Sequence, residues 1–182
     1  GSFDVIHFNH GVWDASYREP TSKYFSGHRT TSVEDFEKNL RTLVGKMKKT
    51  GATLIWATVT PVWEGHPGKP NGDEDAYNRV AAQVMKEHGV IINDLNAETR
   101  RQGYPKSNNV HSVGNLAPKV TETILKALED RKDKTKPLPR VLFIGDSITC
   151  GYGVEGPDEF CSFTGATESA YLSYAAVAAR AL

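Results

Sequence analysis

Short apolar runs alternate along this chain with longer stretches whose apolar residues recur every three or four positions. The short runs are rich in β-branched and aromatic residues: Val5-Ile6-His7-Phe8, Leu54-Ile55-Trp56-Ala57, Val90-Ile91-Ile92 and Val141-Leu142-Phe143-Ile144. Short, largely apolar runs of this length suit strands buried on both faces. They predict strands over residues 3–9, 52–59, 90–95 and 141–144. The longer stretches read as amphipathic helices. Val33, Phe36, Leu40, Leu43, Val44 and Met47 line one helix, opened by the capping box Thr31-x-x-Glu34 and closed by Gly51. Tyr77, Val80, Ala81, Val84 and Met85 line a second helix over residues 75–88, ended by Gly89. Further helices are expected over residues 117–128 and 168–182, the last with Tyr171, Leu172, Ala175, Ala176 and Ala179 on one side. Asp94 is better placed to cap a short helix from Asn96 than to orient a histidine. Strands that alternate with helices argue for a parallel, doubly wound α/β sheet.

Between these elements lie polar or Gly/Pro-rich segments. Residues 15–30 read as a loop, and residues 61–73, with Trp63, Glu64 and His66, as a second loop at a strand's carboxyl edge. Residues 131–139 are charged and contain Pro137 and Pro139, so they read as a solvated connection. This is the one plausible boundary. The expectation is a single domain over residues 1–182, with residues 1–130 and 140–182 as its two parts.

The 182 residues suffice for one α/β core. Lys plus Arg number 22 and Asp plus Glu number 22, so no overall field recruits nucleic acid or an anionic membrane. No apolar run approaches the roughly 20 residues of a membrane helix. No signal peptide is legible at the start, where Gly1-Ser2 reads as added residues. Of the two cysteines, Cys150 and Cys161, free thiols are the simpler reading, with a disulfide as the alternative. Composition leaves the compartment open, and no metal-ligand spacing or cofactor motif stands out.

The candidate chemistry lies at strand ends. Ser147 follows Gly145-Asp146 just past the carboxyl end of a predicted parallel strand, where open α/β sheets place their ligand crevice. A serine there can expose a nucleophilic hydroxyl and lend its N–H to an oxyanion; alone it reads more readily as a turn residue or helix cap. Asn9 occupies the same place after the first strand, with an amide able to donate to an oxyanion. His111 follows a polar loop and precedes a helix, a place from which an imidazole can serve as base. Nothing around His66 fixes it in that role. Trp13, Trp56 and Trp63 suit either sugar stacking or plain packing.

Gly145-Asp146-Ser147-Ile148 resembles the nucleophile block of the GDSL, or SGNH, hydrolases, serine esterases on a flavodoxin-like fold. The run from Phe143 to Gly153, with Thr167 to Ala176, is closer still to the carbohydrate esterase family 2 deacetylases. Phe8-Asn9-His10-Gly11 resembles the family's asparagine block, and Asn108-Asn109-Val110-His111 its late Asp-x-x-His block. The resemblance covers most of the chain and implies a three-layer α/β/α sandwich with a parallel sheet. It assigns Ser147 as nucleophile, His111 as base and Asn9 as oxyanion donor.

Two departures stand out. The family's aspartate is replaced by Asn108, which can hold an imidazole but not balance its charge, so a Ser–His dyad is expected. The serine block also follows the histidine block, the reverse of the usual order, which implies a circular permutation. The rival is a fragment spanning two tandem domains. With the parts rejoined, the family's second strand and its oxyanion glycine are missing; Gly151 and Gly153 are candidate substitutes, and a second copy or a domain swap could complete the sheet edge.

The resemblance therefore implies a carbohydrate acetylesterase without cofactor, and a secreted or periplasmic setting from its substrate class. The alternatives are a catalytically silent carbohydrate-binding or scaffold domain, and a lipase or thioesterase. The latter needs a long acyl channel, and no Leu/Phe/Met-rich loop suggests one.

Overall fold

A computed structural model of the chain describes residues 3–18, 28–64, 66, 68–104, 113–129, 139–150, 169 and 171–182. Its elements are β1 (Val5–Phe8), β2 (Tyr17–Arg18), β3 (His28–Arg29), α1 (Val33–Lys48), β4 (Thr53–Ala57), α2 (Asp73–His88), β5 (Ile91–Asn93), α3 (Leu95–Arg101), α4 (Ala117–Glu129), β6 (Val141–Ile144), α5 (Ser147–Cys150) and α6 (Tyr174–Ala181). Four strands form a parallel sheet in the order β5-β4-β1-β6. The last strand in sequence lies against the first, with Val5 opposite Val141 and Phe8 opposite Ile144.

The alternation of side chains along a strand divides the core into two. Ile6, Phe8, Leu54 and Trp56 point to one face, where Phe36, Leu40, Val44 and Met47 of α1 and Tyr77, Ala81, Val84 and Met85 of α2 cover them. Val5, Ile55 and Ala57 point to the other, under Val120, Ile124 and Ala127 of α4 and Ala178 of α6. A parallel sheet between two helical layers is the three-layer α/β sandwich expected. Among the described residues no helix is long and apolar enough to cross a membrane.

Several details differ from the sequence reading. The N-cap of α1 is Ser32, not Thr31: its Oγ accepts the Asp35 N–H at 3.0 Å. The helix closes on Lys49, and Gly51 lies two residues further on. β5 is not a buried strand. Nothing described pairs with its outer edge, and Ile91 and Ile92 are 37% and 39% exposed. Within the segment read as loop, β2 and β3 pair antiparallel; two residues per strand are too few to show alternation. The last helix begins at Tyr174, capped by Ser173, rather than near residue 168. Tyr171 and Leu172 therefore lie outside it and are exposed, while Ala175 and Ala178 are buried. The 131–138 connection and Cys161 fall outside the described residues.

Candidate active site

The carboxyl ends of β6, β1 and β4 form the rim on which the candidate residues lie. β6 ends at Ile144, and Gly145 and Asp146 lead into α5, whose first residue is Ser147. Gly145 is required by close packing: a Cβ there would lie 2.8 Å from the Cβ of Thr149, with the Thr149 hydroxyl nearer still. Asp146 Oδ1 accepts the Ile148 N–H at 3.0 Å, an Asx-type bond that starts the turn carrying Ser147. Ser147 itself is half-buried.

Asn9 ties this rim together. Its backbone N–H donates to the Ile144 carbonyl at 2.9 Å. Its side-chain amide donates to the carbonyls of Ala57 at 2.8 Å and Thr58 at 3.2 Å. The nucleophile and oxyanion candidates thus stand at the ends of adjacent strands of one chain. The amide is already engaged, so an oxyanion would have to take a hydrogen from the longer bond, to Thr58. Asn9 also lines a narrow cleft with Thr58, Asp146, Thr149 and Tyr174, roomy enough for about one water molecule.

The titratable groups under the rim are shifted by burial. Burial raises the Asp146 carboxyl, opposed by the backbone N–H bonds of Ile148 and Thr149 and by His10. Burial likewise pushes Tyr174 up to about 12, against the bond from Thr149. Tyr174 as a whole is only half-buried, so it is the hydroxyl end that lies inside. His7 of β1 is fully buried, and desolvation lowers its pKa to about 4. Its Nε2 lies 3.2 Å from Asn93 Nδ2, so the neutral ring accepts there and carries its hydrogen on Nδ1. Among the described residues no cluster of three or more His, Cys, Asp or Glu side chains could hold a metal ion.

The other candidates fall in different places. Trp13 is 42% exposed, with Lys69 Nζ 3.9 Å from its ring centroid. Trp63 packs edge-on to His66 at 5.9 Å. His66 Nδ1 accepts the Gly68 N–H at 3.2 Å, and burial, with Lys69, lowers its pKa. Trp56 is wholly buried in the core, which removes it from any sugar platform. Asp94 caps α3, accepting the Ala97 N–H at 3.0 Å and the Thr58 hydroxyl at 3.1 Å. His111, Asn108, Gly151 and Gly153 lie outside the described residues.

No protein-family model matches the chain. A 48-residue stretch is 58% identical to the cellulase/esterase CelE of Acetivibrio thermocellus. That stretch is 26% of this chain, and the match spans 6% of CelE. Among solved structures, a lipase/acylhydrolase from Enterococcus faecalis is 20% identical, with a TM-score of 0.49 over 70% of this chain and 61% of that one. LAE5, an alpha/beta hydrolase from the metagenome of Lake Arreo, Spain, is 18% identical, with a TM-score of 0.48 over 71% of this chain and 62% of that one.

Sequence reasoning missed Asp146 as the start of the Ser147 turn, although an aspartate two residues before a helical N–H is a legible Asx signal. It also missed the bond between Thr149 and Tyr174, whose oxygens lie 2.8 Å apart. No local signal announces that contact, because it joins residues from separate elements.

Proposed function

We propose that this chain is a serine esterase that removes O-acetyl groups from carbohydrate, with its motif blocks in circularly permuted order. The observation that carries the reading is the pairing of β6 with β1, which brings the strand ends that lead into Ser147 and Asn9 together at one rim. The similarity to CelE over 48 residues supports it.

In this reading Ser147 Oγ attacks the acetyl carbonyl carbon while His111 takes the hydroxyl proton. Asn9 and the Ser147 N–H donate to the oxyanion, with Gly151 or Gly153 as a further donor. Collapse of the tetrahedral intermediate breaks the ester C–O bond, and His111 returns the proton to the departing sugar oxygen. Water, deprotonated by His111, then releases acetate from the acyl-enzyme. Asn108 holds the imidazole, so the base works as a dyad. Trp13 and Trp63, on loops at the rim, face the sugar.

The test is release of p-nitrophenol from its acetate ester and of acetate from acetylated oligosaccharides, for wild type, Ser147→Ala and His111→Ala. Loss of about 10³-fold or more in kcat is expected for each substitution. Equal rates for wild type and Ser147→Ala end the reading, and a preference for long acyl esters would reassign it to a lipase.

A further inference from the structure

The turn that carries Ser147 is too short to hold itself in place. α5 has 4 residues, and a single turn fixes its dihedrals for one or two backbone bonds. Its position must therefore come from anchors outside it. Asp146 grips its start through the Ile148 N–H. The second anchor comes from the far end of the chain. Thr149, two residues after Ser147, shares a 2.8 Å hydrogen bond with the hydroxyl of Tyr174. Gly145 is the residue that lets Thr149 come so close beneath the strand end.

Tyr174 is itself firmly set. It is the first residue of α6, whose N-cap Ser173 accepts the Ala176 N–H at 3.2 Å. α6 is seated through Ala178 in the same core cluster as α4. The Tyr174 ring lies 6.2 Å from the buried His7 ring of β1, in an edge-on arrangement. The hydroxyl thus connects this short turn, which also packs Ile148 on the core, to the helical layer and the central sheet.

We propose that Tyr174 is a positioning residue for Ser147: through Thr149 it holds the nucleophile's turn at the attack distance from an acyl group bound beside Asn9. The inference rests on the esterase reading above. In this proposal Tyr174 acts through Thr149, so its loss displaces the nucleophile without removing a catalytic group. A displacement of that kind lowers turnover by about 10- to 100-fold.

The experiment measures p-nitrophenyl acetate hydrolysis by the full chain, with active protein corrected for the folded fraction by circular dichroism. Tyr174→Phe and Thr149→Val are each expected to lower kcat by about 10- to 100-fold with KM unchanged. Thr149→Ser, which keeps the hydroxyl, is expected to retain wild-type turnover, and the double variant to be no slower than either single one. If kcat per folded molecule is unchanged in Tyr174→Phe while Ser147→Ala is inactive, the positioning role is overturned and the esterase reading stands. Multiplicative losses in the double variant overturn it as well, because the two residues would then act separately. If Ser147→Ala retains full activity, both readings fall.

Discussion

Asn9 and Ile144, 135 positions apart in the chain, are joined by a backbone hydrogen bond of 2.9 Å, from the N–H of the one to the carbonyl of the other. Asn9 then reaches sideways with its amide to Ala57 and Thr58, so one residue holds the carboxyl ends of three parallel strands. This has two consequences for substitution. Asn9→Ala leaves part-buried carbonyls without their donor and should cost about 1–3 kcal/mol in chemical unfolding. Asn9→Asp, which sets a carboxylate against those carbonyls, should be less stable than Asn9→Ala at neutral pH. If Asn9 also donates to the oxyanion, kcat of the folded Asn9→Ala protein should fall by about 10²- to 10³-fold. Full turnover in that protein would leave Asn9 a purely structural clamp.

Gly145 should accept no side chain. The Cβ of an alanine would meet Thr149 at well under normal contact distance, inside a turn that has no slack. Gly145→Ala is expected to destabilise the protein by about 1–3 kcal/mol, as overpacking does. Adding Thr149→Ala removes the nearest atom, the hydroxyl oxygen, and should restore part of the loss in thermal melting, so the two changes should be non-additive.

His7 makes stability depend on pH. Its folded pKa, about 4, lies below the ordinary 6.5 because burial disfavours the imidazolium. Below pH 6.5 the unfolded chain binds a proton that the folded one refuses, so stability falls as pH drops toward 4. Linkage sets the slope at about 1.4 kcal/mol per pH unit and the whole loss at about 3 kcal/mol. Asp146 and Glu74 act in the opposite sense, since burial raises their carboxyl pKa values. They remain in a His7→Phe variant, so the comparison isolates the histidine. On going from pH 7 to pH 5 the melting temperature of His7→Phe should fall less than that of wild type.

Asp94 stands at a strand end, where a carboxylate could orient a catalytic histidine, yet it is committed to the Ala97 N–H and the Thr58 hydroxyl. Asp94→Ala should therefore lower stability by about 1 kcal/mol, as loss of a helix cap does, and leave the rate measured on p-nitrophenyl acetate unchanged. A large fall in kcat at unchanged stability would contradict the capping role.

The alternation of apolar runs with helical periodicity was enough to determine the four strands of the parallel sheet, the two long helices and the α/β class. Those features follow from local geometry: side chains repeat every two residues in a strand and every 3.6 in a helix, and burial marks both. Gly145-Asp146-Ser147 and Asn9 were legible for the same reason, since polar residues directly after apolar runs mark strand ends. What lay beyond the sequence was everything set by which elements meet. That β6 pairs with β1 depends on contacts between the two ends of the chain, and no local pattern encodes it. β5 is as apolar as a central strand, and only its place at the sheet edge leaves Ile91 and Ile92 exposed. Trp56 and Trp13 look alike as sugar platforms until the fold buries one and exposes the other. The Tyr174–Thr149 bond is likewise tertiary. Local sequence determined which groups are available, and packing, by bringing distant segments within hydrogen-bond reach, decided which of them stand together.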